Sequence, residues 1–302
     1  MNKTIDFKLV AALVAVALIW GTTYLGIRIA VETIPPWFVA AIRQSIASLI
    51  LLVVLLRKGE LAWKGWAHLR RQVILSSLML VIANGMTTVA EQSIPSGLTS
   101  LLNALNPIFV FLGSVVIGIQ KPTLKGFLGV IIGFLGVAFI FRDGFSALLD
   151  PNYKMGIAFL CVAITGWTLG TLYVKKNNHK SDQIFLDLFY QFVFSALAQF
   201  VLAFIFSDQV NIQAWSGKSM MAVVYLALFG SVIAFFCYHY ALKKVTATEV
   251  SVLSYFNTII ALFLGWLILD EIITFDIVIA TGLIILGVFI TNYQKQKKIQ
   301  RI

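Results

Sequence analysis

The sequence predicts an all-α polytopic membrane protein, with ten transmembrane helices arranged as two inverted five-helix repeats, and three observations predict it. Hydrophobic residues fill 60% of the 302 positions and charged ones 12%, with a mean hydropathy of +0.92, whereas soluble domains carry about 25% charged residues. Apolar stretches near the roughly 20 residues that cross a bilayer recur ten times, at about 9–30, 36–56, 72–91, 96–119, 123–141, 155–174, 184–206, 219–241, 247–269 and 275–293. Finally, the segment Ile94 to Pro107, IPSGLTSLLNALNP, has a degenerate copy in Val245 to Thr258, VTATEVSVLSYFNT, which places Asn257 151 positions after Asn106. A shift of half the chain predicts a duplication, with a first repeat at 1–148 and a second at 149–302. Each copy holds an odd number of spans, so the second must enter the membrane from the opposite face.

Loop charges orient the chain by the positive-inside rule. With the N-terminus inside, only Arg28, Arg142, Lys154 and Lys218 fall outside, Arg43 lies within a span, and the other 18 of the 23 basic residues are cytoplasmic. Both termini are therefore expected in the cytoplasm, with the chain in the cell (inner) membrane. The longest connection is the Arg57 to Arg71 segment, too short for a soluble nucleotide-binding module. The net charge of +10 lies in these loops and sets topology, so no nucleic-acid partner is expected.

Taken in order, the first span begins like a signal peptide, with Lys3 and Lys8 before a core containing Ala-x-Ala at 15–17. Its apolar run continues to about Ala30, long enough to cross a bilayer at about 1.5 Å per residue, so an uncleaved helix is expected. Trp20, Thr23 and Tyr24 lie inside it and are echoed by Trp167 and Thr171 in the sixth span. Tryptophan favours membrane interfaces, so two inside spans either wall a cavity or pack between helices. In the second span, Arg43 costs several kcal/mol near mid-membrane unless paired or hydrated. It either snorkels to the nearby outer end or meets a partner, for which Glu91 at the end of the third span is the nearest candidate. Asn84 and Thr87 share a face of that third span.

The fourth span carries Asn103, Asn106 and Pro107 in the apolar run LLNALNPIFVF. Proline has no N–H, so the Asn103 carbonyl loses its helical donor. The segment should face protein or a wet cavity, not lipid. In the fifth span, Gly126, Gly129, Gly133 and Gly136 form a stripe that allows close helix packing, within the chain or in a homodimer. The tenth span has little that is polar beyond Thr281, and both read as scaffold. Asp187 and Tyr190 lie in the seventh span, and His239 in the eighth is the single intramembrane histidine. In the ninth, Glu249 lies near one end, and Ser251, Ser254, Tyr255 and Thr258 mark one face beside Asn257. A cavity between spans one to four and six to nine is expected. The substrate-binding set is Trp20, Thr23, Tyr24, Arg43, Asn84, Asn103, Asn106, Trp167, Tyr190, His239, Ser254, Tyr255 and Asn257.

Neither His-Glu-x-x-His nor Gly-x-Ser-x-Gly occurs. Ser216-Gly217-Lys218-Ser219 imitates the end of a phosphate-binding loop, but the position of the required earlier glycine is Ile212. Cys161 and Cys237 fall within spans and read as small apolar filler. No catalytic residue, metal or cofactor is expected; the expected partners are a small-molecule substrate and the lipid bilayer, with the chain a monomer or homodimer.

With these residues in place, the chain resembles the ten-span EamA-type transporters of the drug/metabolite transporter superfamily over nearly its whole length. The resemblance is carried by Trp20-Gly21-Thr22, Arg43 and the Ala90 to Leu102 stretch AEQSIPSGLTSLL leading into Pro107. In the second copy it is carried by Ala241 to Leu253, ALKKVTATEVSVL, then Asp270-Glu271 and the Gly282 to Val288 run GLIILGV. The sequence departs from the family pattern at Gln120, where a glutamate like Glu271 is common, and at Thr258, which replaces the proline. The resemblance implies a small-metabolite carrier, typically an exporter of amino acids or related compounds, with a central cavity between the repeats. Inverted repeats that rock around such a cavity give alternating access. A membrane-embedded enzyme and a facilitative, channel-like carrier without gradient coupling are the alternative readings.

Overall fold

Leu18, Leu49, Leu197, Phe204 and Phe263 stay exposed along the outside of a helical bundle, a surface costly in water and suited to lipid. The computed structural model describes residues 6–140, 151–176, 183–207, 210–251 and 253–292. The charge-bearing positions Lys3, Arg142, Lys180 and Lys295 onward, and the side chain of Glu249, lie outside the described residues. The first five helices are α1 (Phe7–Ala30), α2 (Pro36–Lys58), α3 (Trp66–Ala90), α4 (Ser96–Val116) and α5 (Leu124–Ile140). The second five are α6 (Pro151–Lys176), α7 (Ile184–Phe206), α8 (Gly217–Lys244), α9 (Leu253–Leu269) and α10 (Phe275–Asn292), with a short helix Ala247–Ser251 before α9. Seven are long and apolar enough to cross a bilayer, while α5, α9 and α10 contribute shorter apolar stretches. The protein is thus an all-helical polytopic membrane fold, with no strand among the described residues.

Local chemistry sets the helix ends. The Asp6 carboxylate accepts the Leu9 N–H (3.2 Å) to cap α1. Pro36 opens α2, and Gly59 closes it in the left-handed region at φ 64°. Ser216 Oγ accepts the Ser219 N–H at 3.1 Å, so the segment that imitated a phosphate loop is the N-cap of α8.

The break expected around Pro107 interrupts α4, which consists of the helices Ser96–Asn103 and Asn106–Val116. Between them the backbone tightens: Ala104 N–H bonds to the Ser100 and Leu101 carbonyls (3.0 and 3.1 Å), and Leu105 N–H to Leu102 (3.1 Å). Such a break is tolerated only away from lipid. Accordingly, 72% of the most apolar 18-residue stretch of α4 is buried, against 50% or less of the same stretch in the other six long spans.

Helices pair across the two halves: α2 packs along α7, α1 along α9, and α5 along α10. The α5/α10 contact is close enough to involve backbone. A Cβ at Gly136 would lie 2.9 Å from the Ile284 nitrogen and 3.0 Å from the Ala280 oxygen. The glycine stripe therefore serves packing within the chain. Two helices also contain π-helical segments, Ser77–Gly85 in α3 and Leu226–Ile233 in α8. Such wide turns are rare and favour functional sites.

Candidate functional site

Arg43 is 2% exposed, so it does not snorkel. Its Nε donates to Ser231 Oγ at 2.8 Å and its Nη1 to Asn84 Oδ1 at 3.5 Å. Ser231 belongs to the π segment of α8 and Asn84 to that of α3. One guanidinium from α2 is thus held between the widened turns of the two halves.

Beside it lies a cavity with about 100 Å³ open to water centres, roughly ten times what one water needs. Its wall contains Trp20, Thr23 and Tyr24 of α1, Arg43 of α2, Asn84 and Thr87 of α3, and Asn103 and Asn106 of α4. From the second half come Trp167 of α6, Phe235 and Tyr238 of α8, Ser251, and Ser254 and Asn257 of α9. Arg43 is the one charged side chain among the described residues of this wall.

Aromatic rings from three helices form one side of the cavity. Trp20 meets Trp167 edge-on at 5.2 Å and Tyr238 at 5.1 Å, and Trp167 meets Tyr238 at 5.2 Å. Two polar contacts fix the group: Trp20 Nε1 donates to the Gly230 carbonyl (3.1 Å), and the Thr171 and Tyr238 hydroxyls lie 2.9 Å apart. Amides form another part of the wall. Asn103 Nδ2 donates to the Thr99 carbonyl (3.0 Å), Asn106 Nδ2 to Asn103 Oδ1 (3.5 Å), and Asn106 Oδ1 is buried without a partner. With its amide turned to face acceptors, Asn257 donates to the Ala17 and Leu253 carbonyls at 2.9 and 3.0 Å. Thr258 Oγ1 ties α9 to α4 through the Ser100 carbonyl, 3.0 Å away. A wall with one cation, several amides and an aromatic face suits a small polar molecule with an anionic group.

Three expected residues lie off this wall. Tyr190 is on α7, which gives the cavity no side chain because it packs along α2; its hydroxyl donates to the Ala62 carbonyl at 3.2 Å. His239 follows Tyr238, and one helical step turns a side chain by roughly 100°. Tyr238 takes the cavity side, while the His239 ring stacks on Phe235 at 6.4 Å. Tyr255, likewise one step from Ser254, packs with Leu101, Leu105 and Ile284. Sequence reasoning missed Ser231 and Tyr238. Neither side-chain type shows which face of an all-apolar helix turns inward.

At each end of the bundle a basic side chain binds the last carbonyls of a helix. At one end, Arg28 Nη1 donates to the Glu91 and Gln92 carbonyls at 2.5 and 3.0 Å, capping α3. At the other end, Lys175 Nζ donates to the carbonyls of Leu242 and Val245, the latter at 2.6 Å, capping α8. At the Arg28 end the Glu271 carboxylate also accepts the Ser96 N–H (2.7 Å), the Ser96 hydroxyl (2.8 Å) and the Gly97 N–H (2.9 Å). An anion there matches the free N–H groups and positive dipole end of α4. Near the N-terminal end of α7, Gln72 Nε2 donates to Asp187 Oδ1 at 3.3 Å, and Gln191 Nε2 donates to Gln72 Oε1 at 2.7 Å.

Known proteins share this architecture. A model of the EamA-like transporter family matches residues 7–142 and again 154–293. The uncharacterized transporter YoaV of Bacillus subtilis (strain 168) is 27% identical over 286 residues, covering 95% of this chain and 97% of that one. The uncharacterized inner membrane transporter YedA of Escherichia coli (strain K12) is 29% identical over 289 residues, covering 95% and 91%. A solved crystal structure superposes with a TM-score of 0.70 over 94% of this chain and 96% of the other at 17% identity, a likeness of fold alone. With two matches that together span both halves, the chain belongs to the EamA-like transporter family and is a multi-pass membrane transporter.

Proposed function

We propose that this transporter carries small carboxylate-bearing metabolites, amino acids or related compounds, out of the cell by alternating access around the cavity beside Arg43. The observation that carries the reading is the guanidinium of Arg43, buried in the cavity wall and held by one residue from each half. A planar fork of N–H donors matches a carboxylate. The amides of Asn103, Asn106 and Asn257 provide further polar contacts, and Trp20 and Trp167 an apolar face for the rest of the substrate.

The two halves are inverted repeats with both termini cytoplasmic, and they rock so that the site opens to each face in turn. The Arg28 end closes on the outer side and the Lys175 end on the inner side. Reporter fusions after Lys154 and after Lys298 test the orientation and should report opposite faces.

Flux is tested in liposomes holding the purified protein and an isotope-labelled equimolar mixture of L-amino acids. The proposal predicts protein-dependent efflux of one or a few members, accelerated by the same unlabelled compound outside. Efflux of none of them above protein-free liposomes contradicts it.

A further inference from the structure

The connection between α2 and α3 is a strap moored across the start of α7. Lys58 Nζ, where α2 ends, lies 5.0 Å from the centre of the Phe185 ring. The Tyr190 hydroxyl donates to the Ala62 carbonyl at 3.2 Å, and the His68 ring meets that of Tyr190 edge-on at 5.7 Å. Gly59 and Gly65, at φ 64° and 86°, turn the chain into and out of the strap through a backbone region that suits glycine. Tyr190, which the cavity does not use, therefore holds this connection in place.

What the strap turns outward is both apolar and basic. Trp63 is 57% exposed and Trp66 77%, with their rings edge-on at 5.3 Å, and Leu61 is exposed as well. Arg57, Lys58, Lys64, Arg70 and Arg71 are exposed against one acid, Glu60, and among the described residues none of these basic side chains forms an ion pair. Earlier on α2, Leu49, Val53 and Leu56 are exposed on one helical face. The lipid-facing surface of the bundle thus runs along α2 into the strap. Tryptophan settles at the headgroup level of a bilayer, and basic side chains there are drawn to anionic headgroups.

We propose that the strap from Arg57 to Arg71 is a binding surface for anionic phospholipid, with its basic residues on the headgroup phosphate, its indoles at headgroup level, and Leu49, Val53 and Leu56 along the acyl chains. The chemistry of the patch selects this partner. A soluble anion would meet the charges and leave the indoles and Leu61 in water. A zwitterionic lipid would cover the indoles and leave the basic residues without a net counter-charge. A lipid with a negative headgroup matches both. Because the strap is tied to α2, α3 and α7, a lipid bound there holds the ends of these helices together. The inference is independent of what the cavity carries.

The test is native mass spectrometry of the full chain released from mixed micelles holding equal amounts of phosphatidylglycerol and phosphatidylcholine. The wild type should retain phosphatidylglycerol over phosphatidylcholine by roughly fivefold or more. The preference should shrink as salt is raised, because exposed charges are screened. Arg57→Gln, Lys64→Gln and Arg70→Gln made together should bring the ratio close to one. Lys8→Gln, Lys121→Gln and Lys176→Gln made together remove as many exposed cations from the same end of the bundle and should leave it unchanged. The salt series reads the wild type alone, should a variant fail to fold. Equal retention of the two lipids by the wild type, a preference that salt does not weaken, one that survives the strap substitutions, or one lost equally in the control variant overturns the proposal. Displacement of the lipid by soluble glycerol phosphate at the same concentration also overturns it, by showing a site for a free anion.

Discussion

The two halves repeat a backbone more faithfully than they repeat its charges. Both contain a π-helical segment, Ser77–Gly85 in α3 and Leu226–Ile233 in α8. In both, a cation near the end of the first helix bonds the last carbonyls of the third: Arg28 on Glu91 and Gln92, Lys175 on Leu242 and Val245. Yet where the first half has Glu91 the second has Leu242, and where the second has Glu271 the first has Gln120. Glu91 and Glu271 both fall at the Arg28 end, within electrostatic reach of each other, and Glu91 is also within reach of Arg43. Duplication thus supplies the frame, and the charges that break its symmetry gather at one end. The two ends are consequently unequal: a carboxylate caps α4 at the Arg28 end, whereas the matching position of the first half is the amide Gln120.

The largest effect expected on this comparison comes from Arg43, which binds both π segments. Arg43→Ala removes the charge-assisted bond offered to the substrate carboxylate, worth about 1.5–3 kcal/mol, so efflux at limiting substrate should fall about ten- to a hundredfold while the protein still inserts and purifies. Wild-type efflux would remove Arg43 from the pathway.

Next comes the scaffold, where the halves meet without charge. Gly136→Leu drives a side chain into the backbone of α10 and should cost about 1–3 kcal/mol, as overpacking does. A lower thermal midpoint in lipid checks this. An unchanged midpoint would mean that α5 and α10 do not meet along this stripe.

The smallest effect sharpens the asymmetry. Glu271→Gln keeps the shape of the α4 cap but removes its charge, a loss of about 1 kcal/mol. It should raise labelling of Gly97→Cys by an impermeant thiol reagent from the side it faces. Gln120→Glu, at the matching position of the first half, should not. Equal responses from both variants would mean that the ends are closed alike.

The frame was legible in the sequence because a bilayer imposes length: ten apolar runs of about 20 residues leave little choice of architecture. Pro107 announced the interruption of α4 because a missing N–H acts locally. The π segments were not legible, since Ser77–Gly85 contains nothing that separates it from an ordinary apolar helix. Nor was the Glu271 cap, whose partners Ser96 and Gly97 are 175 and 174 residues away in sequence. Tyr190, His239 and Tyr255 were expected at the cavity because polarity marks a residue's chemistry, while the face it takes depends on neighbouring helices. Amphipathic periodicity would supply that face in a soluble protein, but here lipid makes both faces apolar.

The central claim is that Asn106 and Asn257, matched across the duplication, wall one water-accessible cavity. It is tested most directly by single cysteines at these two positions, in a background lacking Cys161 and Cys237, exposed to a membrane-impermeant thiol reagent from each side in turn. Both cysteines should react from at least one side, with labelling slowed by a transported amino acid. Protection of both from both sides, in variants that still transport, would contradict the cavity and leave the asparagines as helix-packing contacts.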